Sequence, residues 1–167
     1  MDKGSILKRN TEDWILEILS FLGLLGCLYP LLFYGEFEAG EVFPMHYNFR
    51  GEVDGWTDRS ILWILPVISV SIYLILLVSE RFYRKFTYPV WVNNDNKEQL
   101  YRLGVRMLRW LRLFIALLFA YIQLTGLQIA RGDVFSLNPV IMGVFPVVLL
   151  GVCGYFYLRM FACRKNL

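Results

Sequence analysis

Apolar residues fill four long blocks of this 167-residue chain, and polar residues collect in the segments between them. The blocks span residues 14–34, 61–79, 110–130 and 140–161. Each holds about 20 residues, which at about 1.5 Å per residue in a helix is enough to cross a hydrocarbon layer about 30 Å thick. Because lipid offers the backbone no hydrogen-bond partners, each block is predicted to be a transmembrane helix.

The composition agrees with this pattern. Apolar residues make up 57% of the chain and aromatic residues 17%, and the apolar share exceeds the roughly half that is typical of soluble domains. The three cysteines, Cys27, Cys153 and Cys163, show no CxxC spacing, which favours small core residues over a disulfide or a metal set. The predicted fold class is an all-α integral membrane protein with residues 1–167 as one membrane domain.

Lysine and arginine predict the orientation of the four spans, because these residues resist translocation. Fourteen of the 17 basic residues lie in the N-terminus, in the middle segment (residues 80–109 and the start of span three) or at the C-terminal end, and only Arg50, Arg59 and Arg131 lie in the other two loops. Both termini and the loop 80–109 are therefore predicted to be cytoplasmic, whereas residues 35–60 and 131–139 face outward. No nucleic-acid partner is expected.

The middle segment also predicts a helix of its own. Asp95 and Glu98 resemble a capping box, and apolar and basic residues then alternate at helical spacing. The apolar face holds Leu100, Leu103, Met107 and Leu111, and the basic face holds Arg102, Arg106, Arg109 and Arg112. We expect an amphipathic helix at the cytoplasmic interface that bends into span three, with its arginines at anionic lipid headgroups. A plain positive-inside anchor and a surface for a cytoplasmic regulator are the alternatives.

The outward loop 35–60 contains a second pattern. Between Phe43 and Arg50, large apolar residues alternate strictly with Pro44, His46, Asn48 and Arg50, which predicts an extended strand with two different faces. Two turns are predicted after this strand, the first at Gly51-Glu52 and the second at Asp54-Gly55. Trp56 suits an interfacial anchor, and Thr57 or Asp58 is expected to cap span two.

The predicted turns bring carboxylates back toward His46, the only histidine of the chain. Nearby carboxylates stabilise a charged imidazolium, so His46 is a candidate proton carrier, pH sensor or ligand contact. A divalent metal held by His46, Asp54 and Asp58 is the second interpretation, and a purely structural hydrogen bond is the third. No HExxH, GxSxG or glycine-rich phosphate loop is present. Within the spans, Glu17 is the only acidic residue and is expected to reach the nearby interface.

The segment FPMHYNFRGEVDGWTDR resembles the PxHxNxxGxxDGW signature of a bacterial domain of unknown function, found in the N-terminal part of SdpI-type membrane proteins. The matching positions, here called the outer-loop motif, are Pro44, His46, Asn48, Gly51, Asp54, Gly55 and Trp56. The segment WVNNDNKEQLYRLGVRMLRWLRL is similar to the one that follows the second span in short, four-span members. SdpI itself carries further spans beyond a region of this kind.

The resemblance implies a non-enzymatic protein of the bacterial cytoplasmic membrane that senses or binds a ligand at its outer surface. The SdpI role combines immunity to a secreted toxin with membrane recruitment of a transcriptional repressor, so the resemblance implies an extracytoplasmic peptide and a cytoplasmic regulator as partners besides the bilayer. A small transporter or lipid-handling protein is one rival, suggested by the similar placement of Pro66 and Pro146 and by the polar residues of span three. A metal-dependent enzyme centred on His46 is the other. No cofactor is expected, apart from a divalent metal at the outer loop.

Overall fold

The computed structural model describes residues 8–38 and 40–165, and these form a helical bundle with one small sheet. In chain order, the elements are α1 (Thr11–Leu28), a 3₁₀ helix (Tyr29–Glu36), β1 (Val42–Tyr47), β2 (Val53–Asp58), a 3₁₀ helix (Arg59–Trp63), α2 (Ile64–Ser79), a 3₁₀ helix (Glu80–Lys85), α3 (Lys97–Ala130), α4 (Pro139–Ala162) and a 3₁₀ helix (Cys163–Lys165). Lys3, which contributed to the predicted orientation, lies outside the described residues.

Four of the helical segments are long and apolar enough to cross a membrane, which indicates a multi-pass membrane protein. They are Thr11–Glu36, Arg59–Lys85, Lys97–Ala130 and Pro139–Ala162. Each predicted span lies within one of them. The sheet lies at one end of the bundle, here called the hairpin end, and the chain enters α1 and leaves α4 at the opposite end, here called the termini end.

Helix α3 differs from its prediction. It is continuous from Lys97 to Ala130 and 34 residues long, so no separate interfacial helix precedes span three. Asn96 is its N-cap and makes no side-chain cap hydrogen bond. Asp95 does not form the expected capping box, because the helix begins one residue later than that box requires. Its basic face finds partners within the bundle, as described below.

Small residues bring α1 and α3 close together. A Cβ atom on Gly23 would lie 3.2 Å from Ala116, and one on Gly26 would lie 3.2 Å from the Ala120 side chain. Small residues at such crossings let two helix backbones approach in a membrane, where no hydrophobic effect drives helices together. These crossings therefore fix α3 as the central helix of the bundle, against which α1 packs.

Helix α4 lies at the periphery. Only Phe156 and Met160 of its side chains are buried, and both pack around Leu100 of α3. Its remaining surface is largely exposed along its length. The helix is therefore attached mainly near the termini end and leaves a lateral opening toward the middle of the bundle.

Polar side chains form hydrogen bonds with the backbone at the hairpin end of α2. Pro66 has no N–H, so it cannot donate to the Leu62 carbonyl one turn earlier. Gln123 of α3 donates to that carbonyl instead, with an Nε2–O distance of 2.8 Å. The Asp58 side chain accepts a hydrogen bond from the Ser60 N–H at 2.7 Å. Gln123 thus makes a hydrogen bond between α3 and the start of span two, and the prediction of Asp58 as a cap is confirmed.

The loop of residues 35–60 contains a β-hairpin, so the fold is mostly helical and not purely α. Phe43 pairs with Thr57, Pro44 with Trp56 and His46 with Gly55, which leaves Met45 as a bulge. The bulge shifts the strand by one residue, so the predicted strict alternation of faces is wrong after Pro44. Consequently Phe43 is buried, whereas Met45 is exposed.

Candidate functional site

The tip of the hairpin is shaped by Asn48. Its Oδ1 accepts hydrogen bonds from the N–H groups of Arg50 (2.8 Å) and Glu52 (3.1 Å), and its Nδ2 donates to the Glu52 carboxylate at 2.8 Å. Gly51 follows with a φ of +80°, a conformation that glycine adopts without steric cost. A Cβ atom at Gly51 would lie 2.1 Å from the Leu137 carbonyl oxygen. The tip therefore docks against the loop between α3 and α4.

Two further motif residues hold the strands in place. Pro44 is buried, with its Cγ 3.7 Å from the position of a Cβ on Gly126. A Cβ on Gly55 would lie 3.0 Å from the His46 Cβ, so only glycine leaves room for the histidine directly across the sheet. Pro44, Asn48, Gly51 and Gly55 are thus the residues of the outer-loop motif that build the hairpin.

His46 and Asp54 make a side-chain contact between the two strands. Nδ1 of His46 lies 2.6 Å from Oδ1 of Asp54, and the two side chains are 70% and 44% exposed. The antiparallel pairing produces this contact. His46 lies opposite Gly55, and Asp54 is the residue before Gly55 in β2. The predicted approach of Asp54 to His46 is confirmed by this geometry. Trp56, the seventh motif residue, is half exposed.

The metal candidates are not all brought together. Asp58 pairs with Val42 at the far end of the sheet from His46, and its carboxylate caps the helix that follows. Hydrogen bonds from the side chain and the backbone of Ser60 lower the pKa of Asp58. Within residues 8–38 and 40–165, no group of three or more His, Cys, Asp or Glu side chains is placed to hold a metal ion.

An apolar cavity of about 350 Å³ lies between the hairpin and the bundle, here called the hairpin cavity. His46 and Met45 form part of its wall on the hairpin side, and Ile122 and Met142 line it on the helix side. Tyr47 lies beside it, and burial raises the pKa of its phenol to about 12. The arrangement is an apolar chamber with His46 among its lining residues and the Asp54 carboxylate in contact with the His46 side chain.

A second cluster of charges lies at the termini end, inside the bundle. This buried charge network consists of Asp13 and Glu17 of α1, Glu80 just after α2, and Arg109 and Arg112 of α3. Arg109 lies 2.9 Å from Asp13 (Nη1–Oδ1) and donates to Glu80 (Nε–Oε2 3.0 Å). Arg112 lies 2.9 Å from Glu80 (Nη1–Oε1) and also donates to Glu17. The network therefore joins three helical segments that are distant in the sequence.

Partly exposed arginines complete the charge balance around this network. Arg9 lies 3.2 Å from Glu17, and Arg106 lies 3.3 Å from Glu12 and 3.6 Å from Asp13. Buried ions in a low-dielectric region require such pairing, because each unpaired charge costs several kcal/mol. The pairing accounts for the tolerance of so many charges within membrane-spanning helices.

The network corrects two predictions. Arg109 and Arg112 were expected to contact lipid headgroups, but they are only 3% and 1% exposed because carboxylates of α1 and of the segment after α2 meet them. Glu17 was expected to reach the interface and instead bonds to Arg112. Arg102 is exposed and pairs with Glu98 on its own helix at 3.3 Å, so of the four arginines only Arg102 and Arg106 have access to the surface.

Asp13 and Glu80 belong to this site although neither was predicted from the sequence. A signal was present: Asp13 and Glu17 are four residues apart and lie on one face of α1, and Glu80 follows directly on a long apolar block. When carboxylates lie at the same depth in the membrane as the basic face of another helix, ion pairs between them inside the bundle are expected. The basic face of α3 was recognised, but its partners were not.

One part of the chain is similar to a known protein family. Residues 21–70 are similar to a family described as "Domain of unknown function (DUF1648)". The matched segment runs from α1 through the hairpin into α2 and therefore contains the entire outer-loop motif. No curated protein and no solved structure matches the chain.

Proposed function

We propose that this chain is a non-enzymatic protein of the bacterial cytoplasmic membrane that binds an apolar, cationic peptide at its hairpin end. The observation that carries the proposal is the exposed His46–Asp54 contact at the wall of the hairpin cavity. An exposed ion pair contributes only about 0–1 kcal/mol to folding. Stabilisation of the fold therefore does not explain why these two side chains lie together at the surface, whereas a role in ligand binding does.

The charge of the outward loop supports a cationic ligand. Residues 35–60 contain six carboxylates and only two arginines. A surface of one sign steers ligands of the opposite sign toward it and disfavours like-charged ones. A lysine or arginine of the ligand would meet Asp54, and His46 would accept or donate a second hydrogen bond according to its protonation state.

The hairpin cavity supports an apolar component of the ligand. Its volume of about 350 Å³ is at the small end of the range of ligand pockets, and its walls are mainly apolar. Such a chamber suits one or two large side chains better than a whole organic ligand. Met45 and Phe49 are exposed at the same end of the molecule and extend the apolar surface around it.

We infer the side of the membrane from which the ligand reaches the hairpin from the positive-inside rule. The basic residues concentrate at the termini end, so we place that end in the cytoplasm and the hairpin outside. A ligand of the hairpin then arrives from outside the cell, as a secreted peptide does. The resemblance to SdpI-type proteins implies immunity to such a peptide, and we extend that role to this chain as part of the proposal.

The test is a binding titration on the full chain in nanodiscs of phosphatidylcholine, which carries no net charge. The probe is a fluorescein-labelled helical peptide of leucine and lysine, and its anisotropy is measured. We expect Asp54→Asn and His46→Ala each to weaken binding about five- to tenfold, the loss of one charge-assisted contact.

The matched control is Glu41→Gln, which removes an exposed carboxylate of the same loop away from the His46–Asp54 pair. It should change the affinity by less than about twofold, because a remote exposed charge is screened by salt. Equal affinities for all three variants and the unchanged protein, or equal binding to empty nanodiscs, would refute the proposal.

A further inference from the structure

A long groove opens on the side of the bundle where α4 stands away from α1. It has a volume of about 770 Å³ and lies between α1, α3 and α4. Leu16 and Leu19 of α1, Leu113 of α3, and Val148 and Gly151 of α4 give it an apolar wall. We call it the lateral groove. In a membrane, its mouth faces the lipid along its length.

The groove is polar only at the termini end. Arg106, Arg159 and Glu12 line it there. Glu12 lies 3.3 Å from Arg106, so these two charges offset each other. Arg159 is exposed, its guanidinium lies 5.9 Å from the Tyr155 ring, and it has no carboxylate within salt-bridge distance among residues 8–38 and 40–165. One positive charge therefore remains at the mouth of an apolar groove.

The length of the groove matches half a membrane. From Val148 to Arg159, α4 rises about 16 Å at about 1.5 Å per residue. One leaflet of a bilayer contributes about 15 Å of hydrocarbon. An acyl chain lying along the apolar wall would therefore end near the middle of the membrane, with its headgroup at the level of Arg159.

We propose that the lateral groove binds a phospholipid with a negatively charged headgroup from the leaflet at the termini end. The phosphate accepts hydrogen bonds from Arg159, and the Arg106 side chain adds a second donor on the facing helix. One acyl chain packs against Leu16, Leu19 and Leu113. Bound lipid then fills the opening that the peripheral position of α4 leaves, and this role is independent of ligand binding at the hairpin.

The experiment is native mass spectrometry of the full chain, released from nanodiscs containing equal amounts of phosphatidylglycerol and phosphatidylcholine. One arginine at a membrane surface favours an anionic lipid by about fivefold, so the unchanged protein should retain phosphatidylglycerol in about that excess. Arg159→Gln should abolish most of the excess. Arg81→Gln removes an exposed arginine of the same end that does not line the groove, and it should preserve the excess to within about twofold.

A second pair of variants tests the groove itself. A Cβ atom at Gly151 or at Gly143 would meet no atom within 4 Å, so both positions on α4 accept a larger side chain. Gly151→Phe fills the groove and should remove the retained lipid, whereas Gly143→Phe lies outside it and should not.

Three outcomes would overturn the proposal. The first is an unchanged lipid ratio in Arg159→Gln, which would show that the headgroup is not recognised there. The second is lipid retained by Gly151→Phe, which would place the lipid elsewhere. The third is a lipid-free dimer that Gly151→Phe converts to monomer, which would make a second copy of the chain the occupant of the groove.

Discussion

The hairpin end and the termini end of this protein both contain acidic and basic side chains at hydrogen-bond distance, but in opposite surroundings. His46 and Asp54 lie 2.6 Å apart with most of the histidine exposed. Arg109 and Glu80 lie 3.0 Å apart and are almost completely buried. Water screens the first pair and not the second. Similar distances therefore have different consequences: the exposed pair is open to solvent and is our proposed ligand contact, whereas the buried charge network joins the helices inside the bundle.

The largest expected effect is the loss of a charge from the buried charge network. Arg112→Met leaves Glu17 and Glu80 without one of their partners inside the bundle, and breaking a buried pair costs about 3–5 kcal/mol. The free energy of unfolding, measured by titration with a denaturing detergent, should fall by that amount. Arg102→Met, which affects an exposed pair on the same helix, is the control and should cost less than about 1 kcal/mol. Equal effects of the two variants would contradict the distinction drawn between buried and exposed pairs.

The next effect concerns the docking of the hairpin. Gly51→Ala places a residue in left-handed backbone conformation, which costs about 1–2 kcal/mol, and its Cβ meets the Leu137 carbonyl, which adds an overpacking cost of about 1–3 kcal/mol. Gly132 has nearly the same φ, +81°, with open space around it. Gly132→Ala should therefore show the backbone cost alone. If the two alanine variants were equally stable in the same assay, the hairpin tip would not be docked as described.

A smaller effect should appear in the pH dependence of stability. The pKa of Asp58 is lowered in the folded protein by its hydrogen bonds with Ser60. A carboxyl group of this kind stabilises the fold above its unfolded pKa, near 3.8, and this contribution is lost as pH falls through the lower folded value. The unfolding midpoint should therefore fall less below about pH 4 in Asp58→Asn than in the unchanged protein. An identical acid profile for both proteins would argue against the cap.

The smallest stability effect is expected at the candidate binding site. Asp54→Asn and His46→Ala should each change the free energy of unfolding by less than about 1 kcal/mol, because the pair is exposed. The same detergent titration provides the measurement. A loss as large as that of Arg112→Met would mean that the pair is part of the folding core.

Much of the fold follows from the sequence because transmembrane helices have few alternatives. The four apolar blocks are sufficient to predict four helices, and the turn predicted at Gly51 marks the tip of the hairpin. The second turn, predicted at Asp54-Gly55, is wrong, because both residues lie within β2 and continue the pairing with β1. The bulge at Met45 was not predictable, since Pro44 removes an N–H donor without indicating how the strand compensates. The burial of Arg112 was also missed, because its partner Glu17 is 95 residues away in the sequence and only packing brings them together.

The most direct test of the account is a paired measurement on one preparation of Asp54→Asn in phosphatidylcholine nanodiscs. Unfolding is measured on one portion of the preparation without peptide, and the leucine–lysine peptide is titrated against a second, folded portion. The account predicts unchanged stability together with a five- to tenfold loss of peptide affinity. Full affinity, or a loss of affinity accompanied by unfolding, would contradict the claim that the hairpin carries a binding site and the buried charge network carries the fold.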